Sequence, residues 1–478
     1  MLGDVKTSVS DGLLGFETDK GTGIFAAIGV SSVKSETPIV ITGNMSAEKI
    51  KERLGLSPLA DSVMDSVENG ANSIYSIPVL ASTDGIIGGI KKTKQGNGDV
   101  TVSGKPNNAY SVTIKVTGKG AFNSALFTYS IDGGYSFSDD VTIPLTGSYE
   151  IPDTGLTANF TEAAEEKESS FQVGDIYSFS TTAPQMTNAD ALAAIEKLYH
   201  LNEPYEFVHI IGESEPAMWV AVSSAQKKLE EEYHKPLLFV LEAYNINEGE
   251  KIEDYATRLA GDRKNVKNRN IQVVAARSVY LKMDGRTLEQ NNAGVVCGLY
   301  AKTDVQKSIG RIREAYGMGI SKDKMLNLTP AGINDYIELL DTAKYLTFRS
   351  YDGIENYYFV SNACVMSADG SDYRYAEDVR VLNKIIREVR KAALPLLQED
   401  IDSTDTQSEL QRMAKFMEEP LDKMIVNNEI SSAEISVPDN QDILKTDMMQ
   451  VVIRYAARGY IRSIEIDIGR TNTTVTAS

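Results

Sequence analysis

The residues best suited to chemistry in this chain are its three histidines, His200, His209 and His234. A metal or general-base site needs ligands one helical turn apart, or an acid at a fixed offset. These three share no i,i+4 spacing and no HExxH pattern, so no metal site is expected. No GxSxG elbow and no GxxxxGK[ST] loop is present. Gly118-Lys119-Gly120 falls between strand-like segments and reads as a turn, not a phosphate loop. Gly85-Ile-Ile-Gly88-Gly89 reads as a hydrophobic hinge and matches no dinucleotide fingerprint. Glu165-Glu166 and Glu230-Glu231-Glu232 read as solvated faces, so no acid–base pair stands out. Cys297 and Cys364 lie in apolar runs and read as two buried thiols, which suits synthesis in a reducing cytoplasm. The expectation is no catalytic residue, no cofactor and no metal.

One pattern of charge does stand out. Arg380, Lys384, Arg387 and Lys391 recur at i, i+4, i+7 and i+11. At helical pitch they fit within an arc of about 60°. Val381, Leu382, Ile385, Ile386 and Val389 make the opposite, apolar side. The stripe reads either as a solvated cationic face or as a docking ridge for an acidic partner. Four like charges on one face repel, which costs some stability unless something neutralises them.

The elements that would carry these residues alternate in type. Residues 24–90 read as a small α/β unit: a strand at Pro38–Thr42, a helix capped by Ser46, a second helix with Pro58 at its first position, and a strand at Ser73–Pro78. From about residue 91 the chain turns polar and Gly-rich, then shows short alternating strands, as in Tyr110, Val112, Ile114 and Val116. That stretch reads as an inserted antiparallel β domain, sandwich-like, ending near Pro184. Residues 185–302 alternate helix and strand, with buried-type runs at Glu206–Ile211, Pro236–Leu241 and Ile271–Ala276, the pattern of a mostly parallel sheet. A long helix spans about Tyr375–Leu394 and should stop at Pro395. Thr404–Gln407 matches a capping box for another helix, which Pro420 should interrupt. The fold class is mixed α/β, multi-domain. The divisions are 1–22 an extended arm, 23–90 the first part of the core, 91–184 the β insert, 185–400 the α/β core, 401–458 a C-terminal part with strands, and 459–478 a second arm.

Composition narrows the partners. With 48 basic and 67 acidic residues the net charge is −19, which argues against nucleic acid, since phosphate binding wants a basic surface. No apolar run approaches the roughly 20 residues of a membrane helix, and the opening MLGDVKTSVSDGLLGF has no signal-peptide core. No membrane insertion is expected. Both ends of the chain look like unpaired strands: Val5, Thr7 and Val9 alternate with polar residues, and so do Ile464, Ile466 and Ile468.

The stretch NNEISSAEISVPDNQDILKTDMMQVVIRYAARGYIRSIEIDIGR resembles the end of contractile phage tail sheath proteins, the family that includes sheaths of tail-like bacteriocins and contractile injection systems. Gly23-Ile-Phe-Ala-Ala-Ile-Gly29 followed by TPIVITG is similar to sheath openings. The resemblance covers the two ends and residues 330–478. Elsewhere it is one of layout. It implies a structural subunit of the virion tail or a tail-like particle, assembled in the bacterial cytoplasm. It implies a homo-oligomer of six-fold rings, stacked helically around an inner tail tube protein and joined to baseplate and tail terminator proteins. It implies terminal arms (Val5, Thr7, Val9; Ile464, Ile466, Ile468) that add strands to neighbouring subunits, and a tube-facing stripe of Arg380, Lys384, Arg387 and Lys391. Unpaired edges of this kind are an aggregation hazard unless they pair in a defined way. Two other readings are weighed. Another tail or surface-layer polymer would not need the cationic stripe. An α/β enzyme with a carbohydrate-binding insert would need a polar pocket at the strand ends near Ile211, Leu241 and Ala276.

Overall fold

A computed structural model describes residues 23–201, 203–313, 317–402, 404–439 and 441–470. The chain divides into two compact units, one running to Arg387 and one beginning at Glu388.

The first unit is organised on a six-stranded sheet. Strand β1 (Phe25–Val30) is buried at every position, because it is covered on both faces. The chain then makes β2 (Ile39–Thr42), α1 (Ala47–Leu54), α2 (Pro58–Glu68) and β3 (Ser73–Val79). Ser46 caps α1 by accepting from the Lys49 amide, and Ser57 caps α2 by accepting from that of Ala60, with Pro58 opening the helix as expected.

The insert follows as β4 (Lys91–Thr93), β5 (Asp99–Gly104), β6 (Ser111–Gly118), β7 (Leu126–Ser130), β8 (Val141–Thr142), β9 (Ser148–Ile151), β10 (Leu156–Thr161) and β11 (Ile176–Ser180). These make a three-stranded sheet, β5-β10-β9, and a five-stranded sheet, β4-β11-β6-β7-β8. Both contribute to one apolar core that includes Val112, Ile114, Val116, Phe127, Leu156 and Tyr177. The alternation read in the sequence places Val112, Ile114 and Val116 on the buried side of β6. First and last strands of the insert pair with each other, Lys91–Thr93 against Ile176–Ser178. The bridges Thr83↔Gln185 and Ile87↔Thr181 continue that pairing toward the core.

The core resumes with α3 (Asn188–Lys197), β12 (Phe207–Ser214), α4 (Pro216–Glu231), β13 (Leu238–Ala243), α5 (Ile252–Asp262) and β14 (Ile271–Val274). The sheet order is β14-β13-β12-β1-β3-β2. All neighbours are parallel except edge strand β2, which runs antiparallel to β3. Antiparallel β15 (Arg277–Leu281) and β16 (Thr287–Asn291) lead into α6 (Ala293–Lys302), then β17 (Ile320–Ser321) and β18 (Met325–Thr329). Helix α6 lies tightly on α2. A Cβ at Gly298 would sit 2.6 Å from the Ser66 carbonyl oxygen, so only glycine permits this approach. Helix α7 (Ile337–Thr342), β19 (Phe348–Tyr351) and β20 (Ile354–Val360) precede α8 (Ala376–Ala393), which ends before Pro395 as its sequence requires.

The second unit contains α9 (Thr406–Val426), β21 (Ser432–Ser436), α10 (Ile443–Thr446) and β22 (Val452–Ala456). Two local expectations fail here. No side chain caps α9, whose N-cap is Asp405; the Thr404 hydroxyl instead donates to Asp402 at 2.7 Å. The helix also runs on through Pro420, next to the exposed Phe416, Glu418 and Glu419, where water can satisfy the carbonyl that proline leaves without a donor. Strands β21 and β22 form a two-stranded antiparallel sheet, with Ile435 opposite Ile453 and Ala433 opposite Tyr455.

Candidate functional site

Three features carry polar or unpaired groups that a function could use: the cationic helix α8, the C-terminal segment, and a cavity at the strand ends of the large sheet.

Helix α8 does not present its four cations equally. Arg380 is 1% exposed. Its Nε pairs with Glu206, and its Nη2 donates to the carbonyls of Tyr300 and Thr303 at 3.0 and 2.9 Å. The guanidinium lies 5.0 Å from the centre of the Tyr300 ring. Glu206 in turn accepts from the Gly23 amide at 3.3 Å. Arg380 thus neutralises a buried acid and binds the C-terminal end of α6, where the helix dipole favours a cation. It cannot belong to a docking ridge, and the stripe expected from the sequence is corrected at that position. The reason is that the first turns of α8 are buried on several sides: Glu377, Val379, Val381 and Asn383 are buried too. Asn383 reaches Asn270 at 2.9 Å. Farther along the helix the surroundings open. Lys384 and Arg387 are half-buried, and Arg387 Nη1 donates to the Pro236 carbonyl at 3.2 Å. Arg390 and Lys391 are exposed. A clue lay in the sequence: Glu206 stands directly before the apolar pair Phe207-Val208 that opens a buried strand, where a buried acid needs a buried base.

The C-terminal segment departs from expectation in another way. Residues 457–470 form no strand with any described residue, although Ile464, Ile466 and Ile468 alternate as a strand should. These isoleucines are 75%, 76% and 87% exposed, and Ile461 is 84% exposed. The outer edges of β21 and β22 have no partner strand among the described residues. Val5, Thr7 and Val9 lie outside the described residues.

The cavity, about 270 Å³, opens at the carboxyl ends of β1 and β12 and is bordered by the insert and by β16. His209, on β12, does not line the cavity but touches Glu242, which does. Ser62 Oγ is 3.3 Å from His209 Nδ1, and His209 Nε2 is 3.1 Å from Glu242 Oε1. His209 is thus held at both ring nitrogens, by Ser62 on one side and Glu242 on the other. The atoms are those of a nucleophile relay, but Ser62 Oγ packs where α2 meets α6: a Cβ at Gly294 would lie 2.8 Å from it. The chain of hydrogen bonds therefore fixes α2 to the sheet.

Beside it lies a buried charge network. Lys282 Nζ pairs with Asp65 at 2.7 Å, Arg286 with Asp61 at 2.6 Å and with Asp284 at 2.7 Å, and Lys51 with Asp284 at 2.6 Å. Asn108 of the insert donates to Asp61 at 2.7 Å, tying insert to core. Burial pushes the Asp65 carboxyl up from 3.8 to about 6, against the pull of Lys282. A carboxyl whose folded pKa exceeds its unfolded value binds an extra proton in the fold, so its contribution falls as pH rises between the two values. Wild type is expected to lose, from pH 4 to 6, on the order of a few kcal/mol of stability relative to Asp65→Asn. Urea midpoints of both proteins across that range check it, and a constant gap would refute it.

Among the described residues no group of three or more His, Cys, Asp or Glu side chains could hold a metal ion. No described helix is long and apolar enough to cross a membrane. Both cysteines are buried thiols.

Two family models match the chain: DUF2586, N-terminal domain, over residues 2–362, and DUF2586, C-terminal domain, over residues 372–475. No curated protein matches. Among solved structures, a chain of the anti-feeding prophage (AFP) baseplate in its contracted state is similar, with a TM-score of 0.52 and 12% identity, over 98% of this chain and 97% of that one. The sheath tail protein from Desulfitobacterium hafniense is similar at a TM-score of 0.48 and 15% identity, over 95% of this chain and 100% of that one. That from Listeria innocua matches at 0.46 and 17%, over 91% and 95%. The likeness to the baseplate chain is one of fold.

Proposed function

The chain belongs to the DUF2586 family, and on that premise we propose that it is the sheath subunit of a contractile tail or contractile injection machine. In this reading its copies stack as six-fold rings around an inner tube and contract once to drive the tube through an envelope. The role is structural: the work comes from contacts between subunits, and no catalytic step is assigned to any residue. One observation carries the reading. The same chain has an exposed segment patterned as a strand, with Ile464, Ile466 and Ile468 turned out to solvent, and a two-stranded sheet, β21–β22, whose edges lack partners among the described residues. A strand donor and a strand acceptor on one chain make a polymer when copies exchange them. The fold shared with the contracted baseplate chain supports the same reading.

The tube-facing stripe of this proposal is Lys384, Arg387 and Lys391, without Arg380. Baseplate and terminator proteins would cap the polymer, and the protein would reside in the tail of the particle. Purified protein is expected to form long hollow cylinders in negative stain, and discrete monomers at every concentration would overturn the proposal. Reversing charge at Arg387 and Lys391 separates this reading from another tail or surface-layer polymer. Self-assembly should survive in both cases, whereas co-assembly with tube should fail only for a sheath.

The pocket that the enzyme reading required is present beside Ile211, but Leu241 and Ala276 do not line it.

A further inference from the structure

The cavity at the strand ends sits at a defined place in the topology. From β1 the chain turns to β3 on one side of the sheet, and it later returns to β12 on the other. The crevice between two strands whose connections leave in opposite directions is where open α/β sheets bind ligands. Strand β12 is built to widen it. Its register against β13 slips between Ile210 and Glu213. Within that slip Gly212 adopts φ +117°, and a Cβ there would meet nothing within 4 Å.

The charges around the cavity do not cancel. Asp61 is neutralised by Arg286, Asp65 by Lys282 and Glu213 by Arg277, at 2.6, 2.7 and 2.9 Å. Glu242 and Glu289 also line the cavity and have no Lys or Arg partner among the described residues. The Glu242 side chain is 10% exposed; its Oε1 meets His209, while its Oε2 takes no hydrogen bond from the described protein. That oxygen is not sealed from solvent, so it is open to a donor that enters the cavity. Ile211, Leu288 and Met186 supply apolar wall alongside.

We propose that this cavity is a binding site for a small aliphatic amine, whose ammonium group donates to Glu242 and whose alkyl chain lies on Ile211, Leu288 and Met186. None of the residues that line the cavity belongs to α8 or to the described C-terminal segment, so binding and polymer formation can be measured separately. The test is calorimetric titration of the full-length protein with 1,4-diaminobutane at constant ionic strength, with 1-butanol and butyrate as controls. Saturable binding is expected with a Kd below about 1 mM for the diamine alone. Glu242→Gln should weaken it at least about tenfold. Ala183→Trp, which fills the cavity and leaves every charge in place, should abolish it. Absence of saturable binding, equal binding of butyrate, or unchanged affinity in the Ala183→Trp protein would each overturn the proposal.

Discussion

Replacing Arg380 by alanine is expected to cost about 3–5 kcal/mol of folding stability, the usual penalty for leaving a buried charge without its partner. The argument rests on what Arg380 holds. Its guanidinium is 1% exposed, pairs with Glu206 and binds the carbonyls of Tyr300 and Thr303. Alanine leaves the buried Glu206 carboxyl with only the Gly23 amide, among the described residues, to satisfy it. It also leaves a cavity beside Tyr300. The double variant Arg380→Met, Glu206→Leu removes both charges together and keeps most of the volume, so it should recover much of the loss. Urea midpoints of the single and double variants measure this. A surface lysine on the same helix gives the contrast: Lys391→Ala should change stability by less than about 0.5 kcal/mol. If Arg380→Ala were equally mild, the assignment of Arg380 as a buried anchor would be wrong.

The second large effect is on assembly. Removing residues 460–478 should leave the melting transition of the subunit nearly unchanged, because Ile461, Ile464, Ile466 and Ile468 bury little within the chain. It should nevertheless abolish cylinders, since in the proposed sheath this segment is the strand given to a neighbour. Removing residues 1–20 should act in the same way. Electron microscopy of each truncation, beside a thermal melt, separates the two effects. Intact cylinders from both truncated proteins would defeat strand exchange, and a lost melting transition would show that these segments belong to the subunit's own core.

How much of this was legible in the sequence depended on how far apart the interacting residues lie. The parallel strands read correctly because a strand covered on both faces is a continuous apolar run, as Leu238–Leu241 is. The insert read correctly because one buried face per strand leaves strict alternation, as at Val112, Ile114 and Val116. Helical periodicity placed Arg380 on one face with Lys384, Arg387 and Lys391, but it cannot say what covers each turn. The partner of Arg380 is 174 positions away. The network of Asp65 with Lys282 was invisible for the same reason, the two being 217 positions apart. The isoleucines near the C-terminus show the opposite case. Their alternation was plain, but the sheet that would accept them is not formed with any described strand of the same chain.

The pairing of β4 with β11 has a consequence for how such a protein can vary. The insert leaves the core and returns to it through two hydrogen-bonded neighbours, with further bridges at Ile87↔Thr181 and Thr83↔Gln185. Its two ends therefore stay side by side whatever lies between them. A longer or shorter stretch in that position adds only a slowly growing closure cost and does not strain the strands below. The stalk works as a socket: one β domain could be exchanged for another, or a foreign domain carried there, while the scaffold beneath keeps its shape.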